Sequence, residues 1–191
     1  MAAFMSEYRV GSLREGPRAE LIGGKVATRE RPDAAHTASV LALEDRLREL
    51  RLAEEGVMVV RSPPVRLGPT DLLRPDLALL VDAETSAGRY HTARDGSKQA
   101  VVAGVGGSFD PPAILLAVEV SRGRASLEQR LPLYAAAGIR ELWLLDLRRG
   151  WTEALRSPWR GLYRSRTLWY PGERVPIVSL AGVMVEPLLA S

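Results

Sequence analysis

The hydrophobic pattern changes period several times along the chain, and each change marks an element. Glu20-Leu21-Ile22-Gly23-Gly24-Lys25-Val26-Ala27-Thr28 reads as a β-hairpin with Gly-Gly supplying the turn. Asp33 stands where a helix N-cap is expected, and Val40, Leu43, Leu47 and Leu50 then recur at three- and four-residue spacing. This predicts an amphipathic helix over 34–55, stopped by Gly56. Short strands follow over 57–61 and 65–67, around Pro63-Pro64, and a third over 77–81. The run 113–120 is apolar except for Glu119 and reads as a fully buried strand. Ser126 can cap a second helix reaching Ala137, with Gln129 three residues on as in a capping box. Pro132 removes a hydrogen bond inside it and moves the proper start toward Leu131. Residues 141–147 form another buried strand, and short strands near 151–155, 161–164, 167–170 and 183–188 complete an antiparallel tail.

That order predicts one α/β (α+β) domain over 1–191: a mixed central β-sheet with a helix on each side and antiparallel C-terminal strands. Residues 1–19 are a polar N-terminal arm, and 83–112, with five glycines and Asp110-Pro111-Pro112, an irregular insertion. Its Gly-Val-Gly-Gly stretch lacks the Gly-Lys-Ser/Thr that a phosphate loop needs.

Composition narrows the chemistry. The 191 residues suit one well-packed domain, and no apolar run approaches the length that spans a bilayer. The N-terminus has no basic segment leading into an apolar core, so a cytoplasmic protein is expected. There are no cysteines and only two histidines, His36 and His91, so a metal site would be built largely from oxygen ligands. All basic residues but Lys25 and Lys98 are arginines. The net charge of +3 is unevenly spread: residues 121–174 carry 11 arginines against five acids. Such a cationic third suits a nucleic-acid partner or, equally, a solvated surface. Trp151, Trp159, Tyr163, Trp169 and Tyr170 alternate there with Arg156, Arg160, Arg164 and Arg166, a pattern of cross-strand packing or of base stacking.

Two acids sit where acids are expensive. Glu119 lies within the buried run, and Asp76 follows Pro75 at the mouth of another apolar strand. A buried carboxylate needs a partner or a metal. Two carboxylates on neighbouring strands form the usual oxygen cradle for Mg²⁺, which takes few protein ligands and keeps its waters. The plainer alternative pairs Glu119 with an arginine and leaves Asp76 capping a turn.

The ordered set Glu20-Leu21-Ile22-x-Gly24, His36, Pro75-Asp76-Leu77, Val118-Glu119-Val120 and Leu133-Tyr134-Ala135-x-x-Gly138-Ile139-x-Glu141-Leu142-Trp143-Leu144-Leu145-Asp146 resembles the Uma-type ("Uma two") restriction endonuclease family, part of the PD-(D/E)xK nuclease superfamily. The resemblance runs over about residues 8–190. It implies a restriction-endonuclease-like fold with four or five strands in the central sheet, often a homodimer, and hydrolysis of DNA phosphodiester bonds dependent on Mg²⁺ (or Mn²⁺). Asp76 and Glu119 would be the metal ligands, Glu20 a third site acid or a hairpin-edge charge, and His36 a ligand or a helix-surface hydrogen-bonder. The chain departs from the pattern at the lysine. Ser121 stands two residues after Glu119, where the simplest motif has lysine, and Arg130 stands four before Tyr134, where Uma-type relatives carry it. Ser121-Arg122-Gly123-Arg124 replaces the family's Leu-Ser-Pro-Ser/Thr. Arg122, Arg124 and Arg130 are the candidate nucleic-acid contacts, with Arg130 as phosphate clamp. Arginine pins phosphate but does not exchange protons near neutral pH. Hence two expectations stand: a metal-dependent nuclease, weakened by the substitution, or a catalytically inactive nuclease-fold dimer that binds nucleic acid or regulates.

Overall fold

The computed structural model describes residues 19–29, 31–81, 91–92, 98–99, 108–122 and 127–188. Most of the expected arm and insertion therefore lies outside the described residues, although Ala19 already belongs to the first strand. β1 (Ala19–Ile22) and β2 (Lys25–Thr28) make the predicted hairpin. Gly23 and Gly24 take φ of 56° and 75°, values open to glycine at no steric cost. β3 (Val57–Arg61), β4 (Val65–Arg66) and β6 (Leu77–Val81) appear as expected, with β5 (Leu72–Leu73) between the last two. β5 is too short to carry a pattern of its own, yet it joins β1 to β4 in a four-stranded sheet of order β2-β1-β5-β4. β7 (His91–Thr92) and β8 (Lys98–Gln99) pair within the expected insertion.

The larger sheet has six strands in the order β12-β11-β10-β9-β6-β3, more than the four or five the resemblance implies. β9 is Ile114–Ser121, β10 Glu141–Asp146, β11 Trp151–Trp159 and β12 Leu162–Trp169. Only the β9–β10 pair is parallel; its neighbours in this sheet run antiparallel. The sequence pattern divides this hairpin into shorter pieces, ending the first before Pro158. In the structure β10 ends its pairing at Arg156, so Pro158 lies beyond it, where its missing N–H leaves no rung broken on that side. β13 (Val175–Pro176) and β14 (Met184–Val185) form a final ribbon, much shorter than the expected 183–188 strand.

Alternation along the central strands fills two cores, one on each face. Leu77, Leu79, Leu116, Val118, Val120, Trp143 and Leu145 pack with Val40, Leu43 and Leu47 of α1 (Ala34–Glu49). Ala78, Leu80, Ala117, Leu142 and Leu144 face the other way and pack with Tyr134 of α2 (Leu131–Ala136). The helix on each side is therefore as the pattern predicts. α1 is capped by Asp33, whose carboxylate accepts the His36 N–H at 2.8 Å. It stops six residues before the expected end, because Arg51 turns left-handed (φ 53°) and a 3-10 turn over Leu52–Glu55 follows. Its Glu44 is buried and is neutralised by Arg48 and Arg61 at 2.7 and 2.6 Å. α2 starts at Leu131, after a turn through Leu127 and Arg130, so Pro132 falls in the first turn, where a missing N–H breaks no helical bond. Ser126 lies outside the described residues.

Candidate active site

The register of β6 against β9 builds the site. Leu77 pairs with Val118 in antiparallel fashion, so one step outward brings Asp76 beside Glu119. The Val120 N–H seals this arrangement by donating to Asp76 Oδ2 at 2.8 Å. Both acids are fully buried. Glu119 shares its sheet face with Ala117 and so points toward α2, where the Tyr134 hydroxyl and Arg130 Nη2 each donate to Oε1 at 2.6 Å. The same Arg130 nitrogen donates to Glu20 Oε1 at 2.8 Å, and the Arg74 N–H donates to that oxygen at 2.8 Å. Glu20 is thus part of the cluster and not a hairpin-edge charge.

On the solvent side, α1 delivers His36. Its Nε2 lies 3.0 Å from Asp76 Oδ1, and since an ionised carboxylate only accepts, that nitrogen carries the proton. The residue after β2, Arg29, reaches over both acids. Its Nη2 stands 3.3 Å from Asp76 Oδ2 and 3.3 Å from Glu119 Oε2. The two oxygens therefore lie no more than twice that distance apart. Glu119 Oε2 is buried yet has no hydrogen-bond partner among the described residues, so its contact with Arg29 is one of charge alone.

Electrostatics follow from this crowding. Burial pushes the Glu20 carboxyl up from its ordinary value, against the pull of Arg130 and with the push of Glu119. Burial acts on Asp76 in the same direction but is outweighed: the His36 hydrogen bond, the Arg29 charge and the Val120 N–H hold it well below the usual carboxylate range. Desolvation works against both guanidiniums, but the surrounding carboxylates hold Arg29 and Arg130 protonated more firmly than free arginines. Burial and the Glu119 charge raise the Tyr134 hydroxyl, which therefore remains a donor.

The chain's relatives can now be set beside this geometry. Residues 5–184 match the model of a family described as "Uma2: Putative restriction endonuclease". The chain belongs to this family. Among solved structures it is similar to the crystal structure of "a putative nuclease belonging to DUF820" from Anabaena variabilis. The two share 14% identity over 90% of this chain and 88% of that one, with a TM-score of 0.65, which establishes a common fold. No curated protein matches the chain significantly.

Of the Uma-type motif residues, the fold gathers Glu20, His36, Asp76, Glu119, Arg130 and Tyr134 into one cluster. Ser121 is not in it: it lines a separate cavity of about 130 Å³ with Leu127, Leu144 and Asp146 among its walls. Arg122 lies on the surface, paired with Asp33 at 2.9 Å, and Arg124 lies outside the described residues. Arg130 is only 4% exposed, embedded between two acids. Among the described residues, no group of three or more His, Cys, Asp or Glu side chains is arranged to hold a metal. Asp76 and Glu119 nevertheless fit the donor set of Mg²⁺, which is often held by one or two carboxylates, and Glu119 Oε2, which has no hydrogen-bond partner among the described residues, has lone pairs for it.

Sequence reasoning overlooked Arg29. Three buried acids against Arg130 alone called for a second cation nearby. Nothing in the pattern distinguishes Arg29 from Arg31 or Arg74 for that role, because the hairpin's approach to β6 is a tertiary event.

Proposed function

We propose that this member of the Uma-type family is a divalent-metal-dependent endonuclease that hydrolyses phosphodiester bonds of DNA in the cytoplasm. One observation carries the reading: buried oxygens of Asp76 and Glu119 each lie 3.3 Å from one nitrogen of Arg29, and among the described residues the Glu119 oxygen has no hydrogen-bond partner. Asp76 and Glu119 would hold the metal. When bound, Mg²⁺ supplies Lewis acidity and neutralises charge at the reacting phosphate. The chain's own residues prepare the point for it. Tyr134 and Arg130 fix the Glu119 carboxylate through its other oxygen, while His36 holds Asp76 through Oδ1 and the Val120 N–H holds it through Oδ2. Glu20 anchors Arg130 from the far side. Both acids thus keep their orientation before any ligand arrives, which is how a site avoids reorganisation during the reaction.

The test is nicking of supercoiled plasmid with Mg²⁺ or Mn²⁺, against EDTA controls. Wild type should cleave and Glu119→Gln should not, with the fold kept because the shapes match. Cleavage that survives Glu119→Gln or EDTA would place the activity elsewhere.

A second reading, the inactive nucleic-acid-binding or regulatory dimer, is favoured by the absence of lysine at both motif positions. Arg130 stays charged at any physiological pH and has no capacity for proton transfer. DNA binding without metal-dependent cleavage, in a protein with the mass of two chains, would support that reading over the first.

A further inference from the structure

The two arginines of the cluster are held very differently. Arg130 Nη2 makes contacts of 2.6 and 2.8 Å from a nearly inaccessible position. Such lengths are those of well-formed charge-assisted hydrogen bonds. Arg29 makes only longer contacts with the acids: 3.3 Å to Asp76 Oδ2, 3.5 Å to Asp76 Oδ1 and 3.3 Å to Glu119 Oε2. Its short bond, 3.0 Å from Nη1, goes to the Arg74 carbonyl. Its side chain is 18% exposed, against 5% for Arg130, so it closes the site from the solvent side. It neutralises Glu119 without satisfying the lone pairs of Oε2.

A guanidinium in this position is a poor fit that nonetheless fulfils an electrostatic need. Removing every cation from the Asp76–Glu119 pair would leave two like charges side by side in a buried setting, an expensive arrangement. A small dication would meet the same oxygens more closely, at the 2.0–2.1 Å typical of Mg²⁺. Both cations cannot sit at one point.

We propose that Arg29 is a resident counter-cation that a divalent metal must displace to reach Asp76 and Glu119. The inference rests on the nuclease reading above for the identity of the metal ligands. Its consequence is distinct: Arg29 lets the metal-free protein fold with the Asp76 and Glu119 carboxylates side by side, and it lowers the affinity for the metal. Loading the site then requires the end of the β1–β2 hairpin to release its hold, while Arg130 and Tyr134 keep Glu119 in place.

The test is a calorimetric titration of the full chain with Mn²⁺ alone, comparing wild type, Arg29→Met, Glu119→Gln and Arg29→Met/Glu119→Gln, alongside thermal unfolding in EDTA and in Mn²⁺. Methionine keeps an apolar stem of similar reach and removes the charge. The expected result is Mn²⁺ binding at least tenfold tighter in Arg29→Met than in wild type, as removal of a unit charge within 4 Å predicts. Its unfolding temperature should fall below wild type in EDTA and gain more from Mn²⁺. Glu119→Gln should lose the binding in either background. Equal or weaker Mn²⁺ binding by Arg29→Met would overturn the proposal while leaving the metal site standing. No Mn²⁺ binding by wild type or Arg29→Met, or binding untouched by Glu119→Gln, would overturn both the proposal and the nuclease reading. Should Arg29→Met fail to fold, Arg29→Lys keeps the charge on a shorter reach. It should bind Mn²⁺ severalfold more tightly than wild type, and no change would count against displacement.

Discussion

The buried acids divide the work between folding and ligand binding, and their protonation gives the first prediction. Asp76 is held below the usual carboxylate range in the folded chain, whereas its unfolded value is the ordinary one of about 3.9. Between those values the unfolded state binds a proton that the native state does not. Stability contributed by Asp76 is therefore present above about pH 4 and lost as pH falls through that window. Asp76→Asn should flatten the acid side of the stability–pH curve in urea titrations, and an unchanged slope below pH 4 would contradict the assignment. Arg130 gives the second. One nitrogen, Nη2, makes both its short contacts, while its buried Nε has no hydrogen-bond partner among the described residues. A lysine can present one ammonium in place of Nη2 and removes the orphaned donor. Arg130→Lys should keep the fold and maintain or raise Mg²⁺-dependent nicking, since a desolvated ammonium can titrate where a guanidinium cannot. Nicking by wild type but not by the lysine variant would mean that the guanidinium is itself required.

At the level of elements, the C-terminal ribbon depends on another buried acid. Glu141, at the start of β10, accepts from Arg156 at 2.9 and 2.7 Å, from the Trp143 indole at 3.0 Å and from the Val178 N–H at 2.8 Å. Arg156 in turn donates to the Pro176 carbonyl. The contacts tie β10, β11 and the segment beyond β13 through one carboxylate. Glu141→Ala leaves Arg156 mostly buried without its counter-charge, a change that costs about 3–5 kcal/mol. Urea unfolding should register that loss, and amide exchange near residues 175–185 should accelerate ahead of the central strands. Equal protection in variant and parent would mean that apolar packing of Val175, Ile177 and Val185 holds the ribbon by itself.

At the scale of the whole molecule, charge is unevenly spread along the chain. The 11 arginines of 121–174 include Arg160 and Arg164, which flank the exposed Trp159 ring at 5.4 and 4.8 Å. Of the interleaved aromatics, Trp159 and Tyr170 are exposed, whereas Tyr163 and Trp169 pack against the two cores, as the cross-strand packing reading expects. If this face meets DNA, binding should weaken steeply between about 50 and 200 mM salt, with a slope set by the phosphates contacted. Fluorescence anisotropy with a labelled duplex measures it, and binding indifferent to salt would remove DNA from the partners. Among the described residues no helix is long and apolar enough to cross a membrane.

Local pattern determined much of this protein by itself: the hairpin, both helices, the central strands and the anomaly of Glu119 in a buried strand are all readable from neighbouring residues. Period-two and period-3.6 burial are properties of short segments, so they survive in the sequence. Position at an apolar strand marked Asp76 as well, and family resemblance then added Arg130, with Glu20 and His36 as candidates. Only the tertiary structure decided which of them touch. The pairing of Asp76 with Glu119 depends on the register between β6 and β9, which are separated in the chain by more than thirty residues. The joining of β1, β4 and β5 into a second sheet, the burial of Glu44 and the placing of Arg29 over both acids also arise from long-range packing. A charge needs a partner wherever it is buried, but the chain does not state which distant residue will reach it. That choice belongs to the fold.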